Sequence, residues 1–321
     1  MDSQSALARS LACVVSESRM PTLDRVLEIR NDHLCDDLEI SQDMCNWSEE
    51  ELSTYFESGG KVQPVDSRQP PFRFLSLHGG GANATVNRMQ LARLIKAFRD
   101  AAGLHGPNDI EFDHVEGTRE WKHKDPMLVK MLGEKAQFFG WYGVENSADA
   151  DSADGRAYVS ALLDESVKFE YIDADKALDQ IDAHIQQHGP YDALVGFSQG
   201  ATVATMLTAR TLQRAAAGVG PPPSWRCNLM LSALAPRAEG VPGCFIPEPA
   251  SPPIPDFPCI MCIGVQDPFL EVAQKNRLIY GNLQWFEHSG GHEAPTRSKE
   301  DAHVATKVAR AVWKACGVPV L

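Results

Sequence analysis

Apolar positions along residues 71–321 alternate between two periods. Phe72 to Leu77 (Phe-Arg-Phe-Leu-Ser-Leu) reads as a strand. It runs into His78-Gly79-Gly80-Gly81, too rich in glycine for regular structure, and then into a helical spacing of Met89, Leu91, Leu94, Ile95 and Phe98. Ile110 to Val115 reads as a second strand. Lys176 to His188 reads as a helix with Leu178, Ile181 and Ile185 on one face, ended by Gly189-Pro190. Further strands are expected in the short apolar run that leads from Gly189-Pro190 into Gly196-Phe197-Ser198-Gln199-Gly200, and at Asn228–Leu234, Cys259–Gly264 and Leu283–Glu287, and a closing helix at Glu300–Cys316 with Val304, Val308, Ala311 and Val312 inward. Strand alternating with helix is the pattern of a doubly wound, mostly parallel α/β sheet.

Two stretches depart from this rhythm. Thr118 to Lys168 is irregular, with Trp121, Phe138, Phe139, Trp141 and Tyr142 clustered in it. Ala235 to Pro258 is proline-rich and reads as a loop excursion over the sheet edge. Both are expected to wall a pocket.

Residues 1–70 read as a separate helical extension and linker, with residues 71–321 as the main domain. Leu23, Val26, Leu27, Leu34 and Leu38 suggest one amphipathic helix, and Leu7, Leu11, Val14 and Val15 an earlier one. Ser48-Glu49-Glu50-Glu51 opens a third that carries Leu52, Tyr55 and Phe56 and stops at Gly59-Gly60. This extension is read as an appendage packed on the main domain or as a docking segment for a protein partner.

Composition narrows the function classes. The 321 residues are 43% hydrophobic and 23% charged, the balance of an ordinary globular protein, and the formal net charge is −13. Such an acidic chain argues against nucleic acid or an anionic membrane as main partner, because both need a basic face. No run is apolar enough to span a bilayer, and Met1-Asp2-Ser3-Gln4 has no basic or apolar leader, so a cytoplasmic location is expected.

Of the eight cysteines, Cys259 and Cys262 form a CxxC inside a strand-like run, where positions three apart face opposite sides. No second Cys or His pair has zinc spacing, and Asp149 to Gly155 lacks the ligand positions of a calcium loop. No metal and no cofactor is expected.

The chemistry centres on Gly196-Phe197-Ser198-Gln199-Gly200. An apolar strand precedes this G-x-S-x-G motif, and small and apolar residues at helical spacing follow it (Ala201, Val203, Ala204, Met206, Leu207). That is a nucleophile elbow: a sharp turn lifts the Ser198 hydroxyl above the sheet and puts a helix N-terminus beneath it. Gly196 and Gly200 leave room for the neighbouring strand and helix. Asp267 follows a strand in Gly264-Val265-Gln266-Asp267-Pro268, and His292 follows the last strand in Ser289-Gly290-Gly291-His292-Glu293.

The order Ser, Asp, His is that of an α/β-hydrolase, and groups after strand C-termini converge on one edge of an open sheet. Ser198 would be the nucleophile, His292 the base and Asp267 the residue that orients it. His288 competes with His292, which is preferred because two glycines let its loop reach in. The oxyanion donors are expected to be the backbone N–H groups of Gln199 and Gly80. His78 is expected to shape that loop and, with Trp141, to border the substrate pocket.

These residues resemble the FSH-type family of serine hydrolases, which includes ovarian-cancer-gene-2-like hydrolases and fungal polyketide-releasing thioesterases. The resemblance rests on Leu77-His78-Gly79, Trp141, Gly189-Pro190-Tyr191-Asp192 with the elbow, Ile263-Gly264 with Asp267-Pro268, and Gly290-Gly291-His292 with Pro295. It spans roughly residues 72 to 316. It implies an α/β-hydrolase fold that needs no metal and cleaves carboxylic esters or thioesters of short-to-medium acyl chains, with the triad falling on Ser198, Asp267 and His292. Gly80-Gly81 departs from the family, which carries a bulkier residue after His-Gly, and residues 1–70 have no family counterpart. Two rivals stay open: a carrier-protein thioesterase or acyltransferase of natural-product assembly, and a non-catalytic binding module on the same fold.

Overall fold

The computed structural model describes residues 71–122, 124–149, 155–237, 252–295 and 298–320. The expected helical extension and linker of residues 1–70 lie outside these, as do most of the Asp149–Gly155 loop and the middle of the 235–258 excursion.

The elements run β1 (Phe72–Leu77), α1 (Ala84–Ala101), β2 (Ile110–Val115), β3 (Arg119–Glu120), α2 (Pro126–Leu132), β4 (Phe139–Gly140), β5 (Gly143–Asn146), α3 (Gly155–Leu163), β6 (Phe169–Ile172), α4 (Ala174–His188), β7 (Ala193–Phe197), α5 (Gln199–Ala216), β8 (Cys227–Leu231), β9 (Cys259–Gly264), α6 (Leu270–Gln274), α7 (Asn276–Ile279), β10 (Leu283–His288) and α8 (Lys299–Ala315). β2-β1-β7-β8-β9-β10 form one sheet in that order. Every neighbouring pair in it is parallel.

Strand periodicity explains the layers. On β1, Leu75 and Leu77 enter the larger core with Leu178 and Ile181 of α4 and Val203 and Leu207 of α5. Phe72 and Phe74 point the other way, onto Trp313 of α8, and Phe74 also meets Phe98 of α1. The sheet is therefore covered on both faces, which is why β7, β8 and β9 are buried at every residue.

Sheet order also fixes where a site can form. From β1 the chain moves outward to β2, then returns to β7 on the other side and proceeds to β10. The order reverses between β1 and β7, and a crevice opens beyond the C-terminal ends of strands at such a switch point.

Two sequence expectations change. The strand expected at Asn228–Leu234 is Cys227–Leu231, because Ser232 adopts φ 50° and leaves the strand region. The irregular middle is partly ordered into two small antiparallel sheets, β3-β4 and β5-β6. Among the described residues no helix is long and apolar enough to cross a membrane.

Candidate active site

The elbow folds as its small residues require. Ser198 sits at φ 52° and ψ −119°, a left-handed conformation that costs about 1–3 kcal/mol for a residue with a side chain. The turn is tolerated because its neighbours are glycines. A Cβ on Gly196 would overlap the backbone of Ala201, and one on Gly200 would overlap the carbonyl oxygens of Leu77 and His78. The Ser198 N–H donates to Leu231 O at 2.9 Å and ties the turn to β8.

Two further loops converge on Ser198. His292 Nε2 lies 2.9 Å from Ser198 Oγ, and His292 Nδ1 lies 2.9 Å from Asp267 Oδ2. A carboxylate only accepts, so Nδ1 carries the proton and Nε2 is left to accept from the serine hydroxyl. Asp267 is 5% exposed. Burial alone would raise its pKa, but the hydrogen bond and charge of His292, with the Phe269 N–H, outweigh burial and hold the carboxyl below its ordinary value. Phe197 and Phe269 flank the imidazole, with centroids 5.2 and 5.3 Å from it.

Gly264 lets the two loops meet. A Cβ there would overlap the carbonyl oxygens of Gly290 and Gly291. Gln266 N–H donates to Gly290 O at 3.0 Å, and the Gln266 side chain donates to Ser289 O at 2.8 Å. The far side of the histidine loop is held by Asp301 at the start of α8, which accepts from the Ser289 N–H and hydroxyl. His288, the rival base, is buried in this support: its Nδ1 accepts from Gly290 N–H and its Nε2 donates to Glu293 O.

The glycine loop after β1 lies against the nucleophile, since a Cβ on Gly79 would come within 3.3 Å of Ser198 Cβ. The N–H groups of Gly80 and Gln199 have no hydrogen-bond partner among the described residues. His78 and Trp141, expected to border the pocket, are both fully buried and brace the loop from behind. His78 Nε2 accepts from Gly117 N–H at 2.9 Å, and the Trp141 indole donates to His78 O at 2.8 Å. Burial lowers the His78 pKa and favours its neutral ring. The space beside Gly80 and Gly81 is occupied by the Trp121 indole, within 3.2 Å of where a Cβ of Gly80 would sit.

Two placements were not read from the sequence. One is that of Trp121, named there only among the clustered aromatics of the irregular middle, which lies over the glycines. The other is that of the Gln199 side chain, whose Oε1 accepts from Trp141 N–H at 2.8 Å and whose Nε2 donates to Tyr142 O at 2.9 Å. Neither had a local signal, because their partners are remote in sequence. Cys227, Cys259, Cys262 and Cys316 are buried free thiols, and burial raises those of Cys259 and Cys262. Among the described residues no group of three or more His, Cys, Asp or Glu is arranged to hold a metal.

Residues 68–304 match the family described as serine hydrolase (FSH1). Human esterase OVCA2 is 28% identical over 238 residues, covering 72% of this chain and 93% of that protein. The Monascus ruber esterase pigG is 26% identical over 255 residues, covering 71% of this chain and 86% of that one. A Schizosaccharomyces pombe protein named dihydrofolate reductase is 28% identical over 138 residues. That match takes in 43% of this chain but only 26% of that protein.

Proposed function

The chain belongs to the serine hydrolase (FSH1) family of the α/β-hydrolase fold, and from that premise we propose that it cleaves carboxylic esters or thioesters of short-to-medium acyl chains through an acyl-enzyme on Ser198. The observation that carries this reading is the unbroken relay from Ser198 Oγ through His292 to Asp267, with both links at 2.9 Å.

His292 Nε2 takes the hydroxyl proton as Ser198 Oγ attacks the acyl carbon. The resulting imidazolium is stabilised by the Asp267 carboxylate, which stays ionised. Negative charge on the carbonyl oxygen falls to the N–H groups of Gly80 and Gln199, and a donor of this kind contributes on the order of 3 kcal/mol to the transition state. Collapse expels the alcohol or thiol, which takes the proton from His292. Water then attacks the acyl-enzyme, giving its proton to the same nitrogen, and the acid leaves as Ser198 is restored.

The strained Ser198 backbone supports the reading, since such strain at a half-buried nucleophile serves presentation rather than packing. The test is a p-nitrophenyl ester series from acetate to palmitate run beside matching thioesters. Activity is expected on the shorter chains, with kcat/KM lowered at least about a thousandfold in His292→Ala. Equal turnover by wild type and His292→Ala would overturn the proposal.

A further inference from the structure

The two N–H groups that would bind the oxyanion belong to different elements. One is on the elbow, at Gln199, and the other is on the loop after β1, at Gly80. Their spacing must be held to within a fraction of an ångström to matter for catalysis.

The strip from Phe138 to Tyr142 lies between those elements and is bonded to both. On the loop side, Gly81 N–H donates to Phe139 O at 2.9 Å, Phe139 N–H donates to Ala82 O at 2.8 Å, and the Trp141 indole donates to His78 O at 2.8 Å. On the elbow side, the link is the Gln199 side-chain amide, which receives the Trp141 N–H and donates to Tyr142 O. Gln199 Oε1 also lies 3.4 Å from the position a Cβ of Gly80 would take, and 2.9 Å from that of Gly140. Trp121 closes the assembly, its indole against Gly80, Gly81 and Gly140 and its backbone N–H on Phe138 O at 2.8 Å.

We infer that the side chain of Gln199 is a positioning residue: its amide splints the 138–142 strip to the elbow and thereby sets the distance between the two oxyanion donors. This role is separate from that of the Gln199 backbone N–H, which any residue but proline supplies. The requirement is for one acceptor and one donor at the end of a three-carbon arm. Glutamine meets it; a carboxylate can accept from Trp141 N–H but turns its other oxygen on the Tyr142 carbonyl. The inference rests on the serine-hydrolase reading above.

The test compares Gln199→Met and Gln199→Glu with wild type on p-nitrophenyl butyrate, with thermal melting in parallel. Gln199→Met keeps the arm and loses both bonds. The expected result is a kcat lower by about 10- to 100-fold with KM changed less than about threefold, because the loss falls on the transition state. In Gln199→Glu the introduced carboxyl regains both bonds only when protonated. Partial burial and the facing Tyr142 carbonyl hold that carboxyl above its ordinary value of about 4.3, so its activity relative to wild type should rise as pH falls from 8 to 5.5 and pass that of Gln199→Met.

An unchanged kcat in Gln199→Met would overturn the inference. So would a glutamate variant that never exceeds the methionine variant at low pH, since relief of a negative charge alone would bring it only level. If wild type itself neither turns over esters nor takes a fluorophosphonate label, the hydrolase reading fails first, and that outcome is separate from either of these.

Discussion

At the scale of single residues, the site depends on positions where a side chain is absent. Gly264 has no chemistry of its own, yet a methyl group there would meet the carbonyl oxygens of Gly290 and Gly291, backbone atoms that cannot swing aside. Gly264→Ala should push the histidine loop away from Ser198 and lower kcat/KM by about 100-fold or more, since a displacement near 1 Å costs that much. Steady-state kinetics with circular dichroism checks it. A folded variant with wild-type turnover would mean that the loop can reseat.

Ser198, Asp267 and His292 stood out in the sequence because each follows a strand in a loop of recognisable chemistry. Gln199 was legible only as a backbone donor, because its amide meets Trp141 and Tyr142 some 58 and 57 positions away. The Gly80-Gly81 departure finds its physical counterpart in Trp121, a side chain from another loop that fills the vacant space.

At the scale of elements, legibility followed length. β1, β2 and β9 were read to the residue, because six positions give alternation or an unbroken apolar run enough terms to register. β3 and β4 have two residues each and α2 has seven with none buried, so none carries a period to detect. Their pairing comes from contacts across the fold.

α8 was legible from the helical spacing of Val304, Val308, Ala311 and Val312, and the structure adds a cap at its start. Ser298 caps it, and Asp301 completes a reciprocal capping box. Asp301 also holds Ser289, so the helix start anchors the loop that carries His292. Ser298→Ala should cost about 1 kcal/mol of stability, read as a lower midpoint in urea at unchanged slope. Asp301→Ala should cost more and also reduce kcat. A variant at Asp301 with lower stability but full kcat would limit its role to capping.

At the scale of the whole molecule, strand order was not legible, yet it decides where the chemistry sits. Reversal between β1 and β7 sets the glycine loop beside the elbow, while β9 and β10 lead to the Asp267 and His292 loops. Acid stability is also a property of the assembled fold. Burial, together with the charge of Arg88, lowers the His114 pKa to about 4, and burial lowers that of His78. In both cases the unfolded chain binds the proton more readily. Stability is therefore full above the ordinary histidine range and falls as pH drops from about 6.5 toward 4. Melting temperatures across that window should decline less steeply in His114→Gln than in wild type. Parallel curves would show that His114 is not a source of the slope.

The most direct measurement on the hydrolase reading is covalent labelling with a fluorophosphonate, followed by intact-mass and peptide analysis. Wild type should gain one adduct per chain, on the peptide that contains Ser198, and Ser198→Ala should gain none. Equal labelling of the two proteins, or an adduct at another residue, would contradict it.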